Sequence, residues 1–408
     1  MKQVFFKGAR LVWALCLFFF ASGQEAQAQL SDTTRRSGGL RIALLTCGPG
    51  TEFIGASFGH NGLRITDSAV GTDEVYNYGT FDFSAPNFEL RFAQGTLPYR
   101  LAVDRFAAFM AEYRHYGRSV REQILNLTQA EAVRLRDLLE ENLLPQNREY
   151  IYSSVYDNCA TRVRDIVQKA TGKALTWGQA TPAGKALTFR QVFNAHLAGD
   201  PWQRFGINIL TGTNVDQQMT NEQAMYLPAY LAAAVEGARL RGRPFVAEST
   251  ELLPQRTPIP AEPSVSPALF GSLGFALLVC LALLLPAVRR WRAGAINLTL
   301  IITGLLGWFM LLMWLGTDHK ICENNLNLLW ALPTNLIAAF TPMRKRNRYS
   351  VVAIMLVLLV PLLHLFGIQN FPLGELWPVL LAQIIVFGMI FRLTRQSPAA
   401  HVSVSTPQ

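Results

Sequence analysis

Apolar positions fall along the chain in three regimes. Lys2, Lys7 and Arg10 lead into the apolar run Leu11 to Phe20. The middle of the chain mixes apolar and polar positions as a water-soluble domain does. Beyond Pro267, apolar stretches occupy approximately 268–288, 295–316, 326–342, 350–368 and 376–393, each long enough to cross ~30 Å of hydrocarbon. The pattern predicts an exported domain followed by five membrane helices.

Ala26-Gln27-Ala28 has the small-x-small form that signal peptidase cuts after, so residues 1–28 read as a signal peptide. Cys16 lies inside the apolar run without a lipobox, which argues against a lipid anchor there. In the soluble stretch, Ile42 to Leu45, His60 to Thr66, Glu74 to Phe81 and Leu97 to Leu101 are short β-prone runs between Gly, Asp and Ser turns. Thr128-Gln-Ala-Glu131 is a capping box ahead of Ala132 to Asn142, and Thr220-Asn-Glu-Gln223 opens a second helix. Phe106 to Tyr116 and Thr188 to Leu197 also read as helices. The fold class is therefore α+β, with a catalytic domain over 29–243, a linker over 244–267, a transmembrane domain over 268–395 and a cytoplasmic tail over 396–408. Pro254, Pro258, Pro260, Pro263 and Pro267 make that linker a semi-rigid spacer.

Composition agrees: the 408 residues are 50% hydrophobic and only 16% charged. The net charge of +9 would suit a nucleic-acid partner, but its placement argues against one. Arg289, Arg290, Arg292, Arg344, Lys345, Arg346, Arg348, Arg392 and Arg395 supply nine positive charges from short loops beside apolar segments, leaving the remaining residues neutral in sum. With the soluble domain outside, all nine fall inside, as the positive-inside rule requires. The outer loop Thr317 to Asn325 is unusually polar, and Asn327, Pro333 and Asn335 follow at membrane depth. Those amides either hydrogen-bond neighbouring helices or line a lipid or substrate groove. His364 reads as packing.

Tyr156-Asp157-Asn158-Cys159 places a thiol at the start of a helix, with Asp157 or Asn158 as N-cap. A helix N-terminus stabilises a thiolate, which makes Cys159 the candidate nucleophile. His60, at the head of a strand behind Gly59, is the candidate base. The returning strand Glu74 to Thr80 brings Asn77, Tyr78 or Thr80 near the imidazole. Asn77 is favoured, because its amide oxygen can accept the Nδ1 proton and turn the other nitrogen toward sulfur. Tyr78, Asp82 and Asn158 are candidate substrate contacts beside the pair, and His319 and Asn324 are candidates in the polar outer loop, where a headgroup could sit. No metal-ligand spacing and no cofactor motif stands out.

Blander readings compete. A lone cysteine is more often a small buried apolar residue, and a strand histidine a satisfied surface group. A disulfide from Cys159 to Cys47 or Cys322 would suit an oxidising periplasm and would disable the thiol. It ranks lower because Cys47 falls in the turn Leu45-Thr-Cys-Gly-Pro-Gly50, where a small residue suffices. His115 and His196 read as solvated helix positions.

The runs Leu44-Leu-Thr-Cys-Gly-Pro-Gly50, Phe58-Gly-His60, Val75 to Phe83 and Asp157-Asn-Cys-Ala-Thr-Arg162, with the tail helices around Asn324 to Pro333, resemble the Lnb-type lipoprotein N-acyltransferases over nearly the whole mature chain. The His-before-Cys order is also similar to the permuted papain-like fold (NlpC/LRAT-like) of lecithin:retinol acyltransferase and its relatives. Asn77 stands where those relatives commonly carry a second histidine. The resemblance implies a phospholipid acyl donor, a diacylglyceryl-cysteine lipoprotein as acceptor and a thioester on Cys159. It also implies an inner-membrane location with the catalytic domain in the periplasm. A membrane-anchored cysteine amidase or peptidase would use the same dyad with water as acceptor, and a non-catalytic envelope module would need neither group.

Overall fold

The computed structural model describes residues 39–396 apart from 82, 83 and 85, so the signal-peptide assignment, the tail beyond 396 and the candidate Asp82 lie outside the described residues. The soluble half is built on β1 (Leu40–Cys47), β2 (His60–Asp67), β3 (Thr72–Thr80), β4 (Pro98–Arg105), β5 (Val120–Leu125), β6 (Glu149–Ile151) and β7 (Val246–Leu253). They form one antiparallel sheet in the order β7-β5-β1-β2-β3-β4-β6. Its helices are α1 (Phe88–Gln94), α2 (Phe106–His115), α3 (Gln129–Leu143), α4 (Cys159–Thr171), α5 (Phe189–His196), α6 (Pro201–Leu210) and α7 (Pro228–Glu236). The mixed α+β class and the predicted strand and helix cores hold, as do the capping boxes Thr128/Glu131 and Thr220/Gln223.

Strand alternation decides which side chains meet which helices. Ile42, Leu44, Leu63, Ile65, Tyr76 and Tyr78 pack with Leu135 and Leu139 of α3 and Val163, Ile166 and Val167 of α4. On the opposite face, Leu45, Cys47, Val75 and Val120 pack with Phe109, Met110 and Tyr113 of α2. Both faces are covered, and the central strands β1, β2, β3 and β5 consequently carry few solvent-facing positions.

Val246 to Leu253 pairs with β5, so the soluble sheet extends past residue 243 into the 244–267 stretch, and the spacer begins no earlier than its first proline, Pro254. Its first residues are strapped down: the Ser119 N–H donates to Gln255 Oε1 at 2.8 Å, and Gln255 Nε2 donates to the Pro49 carbonyl at 3.0 Å. β-Pairing of exposed Glu and Thr positions leaves little apolar signal to read, which is why this edge strand passes for linker.

Four membrane helices follow: α8 (Pro267–Leu284), α9 (Arg292–Leu315), and, beyond the short α10 (Thr334–Phe340), α11 (Asn347–Leu365) and α12 (Leu373–Gln396). These four are long and apolar enough to cross a bilayer. The third predicted helix, 326–342, is instead a 3₁₀ turn over Leu326–Leu329 followed by α10, whose few turns cover only ~10 Å. The loop before this segment and the loop after α11 both touch the soluble domain: the Asp318 N–H donates to the Gln94 carbonyl at 2.9 Å and Asn370 Nδ2 to Asp216 Oδ1 at 2.9 Å. They lie on one side of the membrane, so 326–346 crosses as a broken segment and α11 returns. The basic loops then share the opposite side, as their charge requires.

Burial of polar backbone explains the break. Asn325 Nδ2 donates to the Ile209 carbonyl at 2.7 Å, and Asn327 Nδ2 donates to the carbonyls of Asn208 and Ile209 at 3.3 and 3.1 Å. Asn335 Nδ2 donates to Thr303 Oγ1 at 2.9 Å. The first two amides close the C-terminus of α6, whose last carbonyls have no intrahelical partner. Of the two readings of these membrane-depth amides, the structure has them bonded to neighbouring elements.

Arg190 anchors the same junction. Its guanidinium makes two hydrogen bonds to the Asp216 carboxylate, 2.8 and 2.9 Å, and others to Asn208, Thr211 and Gly212, with both side chains of the pair almost fully buried. Arg190→Ala would strand Asp216 as an uncompensated buried charge. The expected outcome is a loss of roughly 3–5 kcal/mol, read as a lowered midpoint in detergent-solubilised thermal unfolding.

Candidate active site

Cys159 is the first residue of α4, and Asn158 is its N-cap: the Asn158 Oδ1 accepts from the N–H groups of Ala160 and Thr161, both at 3.0 Å. Asp157 is occupied elsewhere, pairing with Arg162 at 2.5 Å. Asn158 Nδ2 is spent on the carbonyls of Ser154 and Tyr226 at 2.8 and 2.9 Å. Its side chain therefore holds the helix end and offers no free group to a substrate.

His60 opens β2. Gly59 before it has φ +82°, and a Cβ there would sit 2.7 Å from the Cys47 carbonyl oxygen, so the tight approach of the chain to β1 excludes a side chain. The imidazole hydrogen-bonds Asn77 and lies close enough to the Cys159 thiol for each group to shift the protonation of the other. The pair singled out from the sequence is brought together.

The protonation of His60 follows from its neighbours. Asn77 Nδ2 donates to Asp104 Oδ2 at 2.8 Å. A carboxylate can only accept, so the amide is oriented with Oδ1 toward the imidazole. That oxygen lies 3.2 Å from His60 Nε2, which must carry the proton, leaving Nδ1 for the sulfur. Asn77 is thus placed as expected, but it takes the Nε2 proton and not the Nδ1 proton. Gly62 makes room for it, since a Cβ there would fall 2.8 Å from Asn77 Oδ1. Asp104 was not among the sequence candidates. It stands across from Val75 on β4, a diagonal neighbour of Asn77 that only strand register reveals.

Electrostatics follow the geometry. Burial pushes the Cys159 thiol up, but the charge and hydrogen bond of His60, helped by the N–H groups of Asn61 and Ala160, outweigh it and hold the thiol below the ordinary 9.0. Burial pulls His60 down, while the Cys159 charge and the bonds to Cys159 and Asn77 raise it above 6.5 in net, against an opposing effect of Arg118. Each group favours the charged form of the other, which is how a thiolate–imidazolium pair is made.

Cys47 behaves differently. Burial drives its thiol to about 12 despite a hydrogen bond to Tyr113, so it is inert. Cys47, Cys159, Cys280 and Cys322 are all free thiols, and the disulfide alternative is not formed.

The remaining candidates separate from the pair. Tyr78 is 2% exposed, and its hydroxyl accepts from Asn142 Nδ2 at 2.7 Å. It is a core residue presenting nothing to solvent. His319 Nε2 donates to the Phe92 carbonyl at 3.2 Å and Asn324 Nδ2 to Asn214 Oδ1 at 3.3 Å. Both join the outer loop to the soluble domain. His196 is not solvated: its Nδ1–H donates to the Ser57 carbonyl at 2.9 Å and its ring stacks on Phe58, two residues before His60. His364 Nδ1 accepts from the Phe371 N–H at 3.1 Å, a structural contact.

One further buried group lies across Gly79 from Cys159. The Tyr150 hydroxyl is buried without a hydrogen-bond partner. A point 3.7 Å from Cys159 Cβ, where a Cβ on Gly79 would stand, lies 4.0 Å from that hydroxyl. Nothing in the local sequence flags Tyr150, because its position depends on the register shift in β3 between Asn77 and Thr80, where Gly79 lies.

An α+β domain carrying a buried Cys–His–Asn cluster, seated on membrane-crossing helices, defines a membrane-anchored thiol protein of the cell envelope. The family model of the Lnb N-terminal periplasmic domain matches residues 26–195, and that of the Lnb transmembrane domain matches residues 260–397. The chain belongs to the Lnb family, whose function is lipoprotein processing at the inner membrane with the soluble domain in the periplasm. No curated protein and no solved structure matches it significantly.

Proposed function

We propose that the protein is a lipoprotein N-acyltransferase in which Cys159 carries the acyl group. The neighbouring His60 and Cys159, with the thiol lowered, the imidazole raised and the imidazole held by Asn77, are the observation that supports this reading. The thiolate attacks the carbonyl carbon of a phospholipid ester: the C–S bond forms, the C–O bond breaks, and the imidazolium proton passes to the departing lysophospholipid oxygen. The free α-amine of a diacylglyceryl-cysteine lipoprotein then attacks the thioester. The C–N bond forms, the C–S bond breaks, and His60 takes the amine proton. Asn77, fixed by Asp104, keeps the imidazole in the tautomer that the first step needs.

A membrane anchor suits this chemistry, because donor and acceptor are both confined to the bilayer and tethering raises their effective concentration. Purified protein in phospholipid vesicles containing acyl-labelled donor and a diacylglyceryl lipoprotein tests the proposal. Label on the lipoprotein N-terminus, seen by mass spectrometry, is the expected result. Release of free fatty acid without N-terminal label would instead identify a hydrolase.

Tyr150 supplies a donor for the oxyanion of the tetrahedral intermediate. Tyr150→Phe is expected to slow thioester formation by about 10² while leaving thermal stability unchanged, since the hydroxyl has no protein partner to lose. A loss of stability equal to that of a core truncation would contradict this role.

A further inference from the structure

The helix α1 lies against the outer end of the membrane domain. Its last carbonyl-bearing turn accepts from the Asp318 N–H at 2.9 Å and from His319 Nε2 at 3.2 Å. That loop begins just after Leu315 at the end of α9, which is 72% exposed. On α1, Leu90 and Phe92 are 57% and 54% exposed. Two large exposed apolar side chains thus stand on a helix bonded to the loop that leaves α9.

From the same helix a file of aromatic rings runs inward. Phe92 stacks on Phe88 at 6.3 Å, Phe88 meets Phe81 at 5.8 Å, Phe81 meets Tyr99 at 4.9 Å, and Tyr99 stacks on Tyr152 at 4.3 Å between centroids. Tyr152 and Cys159 flank Gly79: the point where a Gly79 Cβ would stand is 3.9 Å from Tyr152 Cε2 and 3.7 Å from Cys159 Cβ. One end of the file is on the helix joined to the membrane domain's outer loop, the other is across Gly79 from Cys159, and the five rings carry no charge. Such a surface fits an alkyl chain and gives nothing to a peptide or a glycan.

We propose that α1 is immersed in the outer leaflet as a portal, and that the rings from Phe92 to Tyr152 are the track along which a phospholipid acyl chain reaches Cys159. The proposal rests on the reading that Cys159 accepts an acyl group. It adds where the donor leaves the bilayer and why a buried thiol can be acylated by a membrane lipid. Water is kept from the thioester by the same rings.

The test uses the full chain in vesicles of phosphatidylethanolamine and phosphatidylglycerol. The double variant Leu90→Ser/Phe92→Ser is compared with the unaltered protein for acylation by vesicle phospholipid and by water-soluble p-nitrophenyl acetate. The expected result is a loss of at least roughly tenfold with phospholipid, with the p-nitrophenol burst unchanged. Equal acylation by phospholipid in both proteins, or an equal loss with both donors, overturns the portal. Failure of the unaltered protein with either donor would sink the acyl-enzyme reading instead. In that case a phospholipid with a photoactivatable acyl chain still decides the portal. Cross-links in the peptide bearing Phe88 and Phe92 support it, and cross-links confined to α8, α9, α11 and α12 overturn it.

Discussion

Cys159→Ser is expected to remove N-terminal acylation of lipoproteins altogether, with the acyl-protein mass disappearing at the same time. Serine keeps the volume and the capping of α4, so the fold should survive. The hydroxyl, however, is not ionised by a neighbouring imidazole as a thiol is, and its ester would be a poorer donor to an amine. The predicted fall in rate is about 10³ or more, the scale seen when a nucleophile acting as one unit with its base is removed. The measurement is mass spectrometry of lipoprotein N-termini from cells carrying each form. Retention of full N-acylation by the serine variant would eliminate the thioester scheme.

His60→Ala gives the second large effect, and its sign can be worked out. In the intact protein the thiol is below 9.0 because the His60 charge and hydrogen bond, with two backbone N–H groups, overcome burial. Burial is the largest single influence and acts upward. Without His60 the balance reverses, and the midpoint for alkylation of Cys159 by iodoacetamide should move from below to above 9.0. At neutral pH the thiolate fraction falls, and acyl transfer falls with it by about 10² to 10⁴. A rate-against-pH curve for alkylation reads this directly, with Cys47 silent because its thiol stands at about 12. An unmoved midpoint would mean that the imidazole does not govern the thiol.

The two effects differ in kind from the expected loss at Arg190. Arg190 and Asp216 hold α5, α6 and the outer loop at Asn370 together, so their disruption lowers stability first and activity only as a consequence. Tyr150→Phe should do the reverse. Comparing the three variants separates chemistry from scaffold without relying on a single mutant.

The sequence by itself determined the division into soluble and membrane halves, the periplasmic placement of the soluble half, and the two residues, Cys159 and His60, that the fold brings together. Those features are written in composition, in charge placement and in short local patterns: a polar cap before Cys159, a glycine before His60, capping boxes at Thr128 and Thr220. Each depends on residues within one turn or one strand of each other, so periodicity and propensity suffice. Tertiary structure alone decided the rest. Asp104 reaches Asn77 only through the register of β4 on β3, and the same contact turned the amide so that His60 binds it through Nε2. Val246 to Leu253 became a strand because β5 offered an edge to pair with. The third membrane segment broke because Asn325 and Asn327 are held by the carbonyls of α6, more than a hundred residues earlier. Buried polar groups must find partners wherever the chain happens to bring them, and a linear pattern holds no record of which distant strand or helix end that will be.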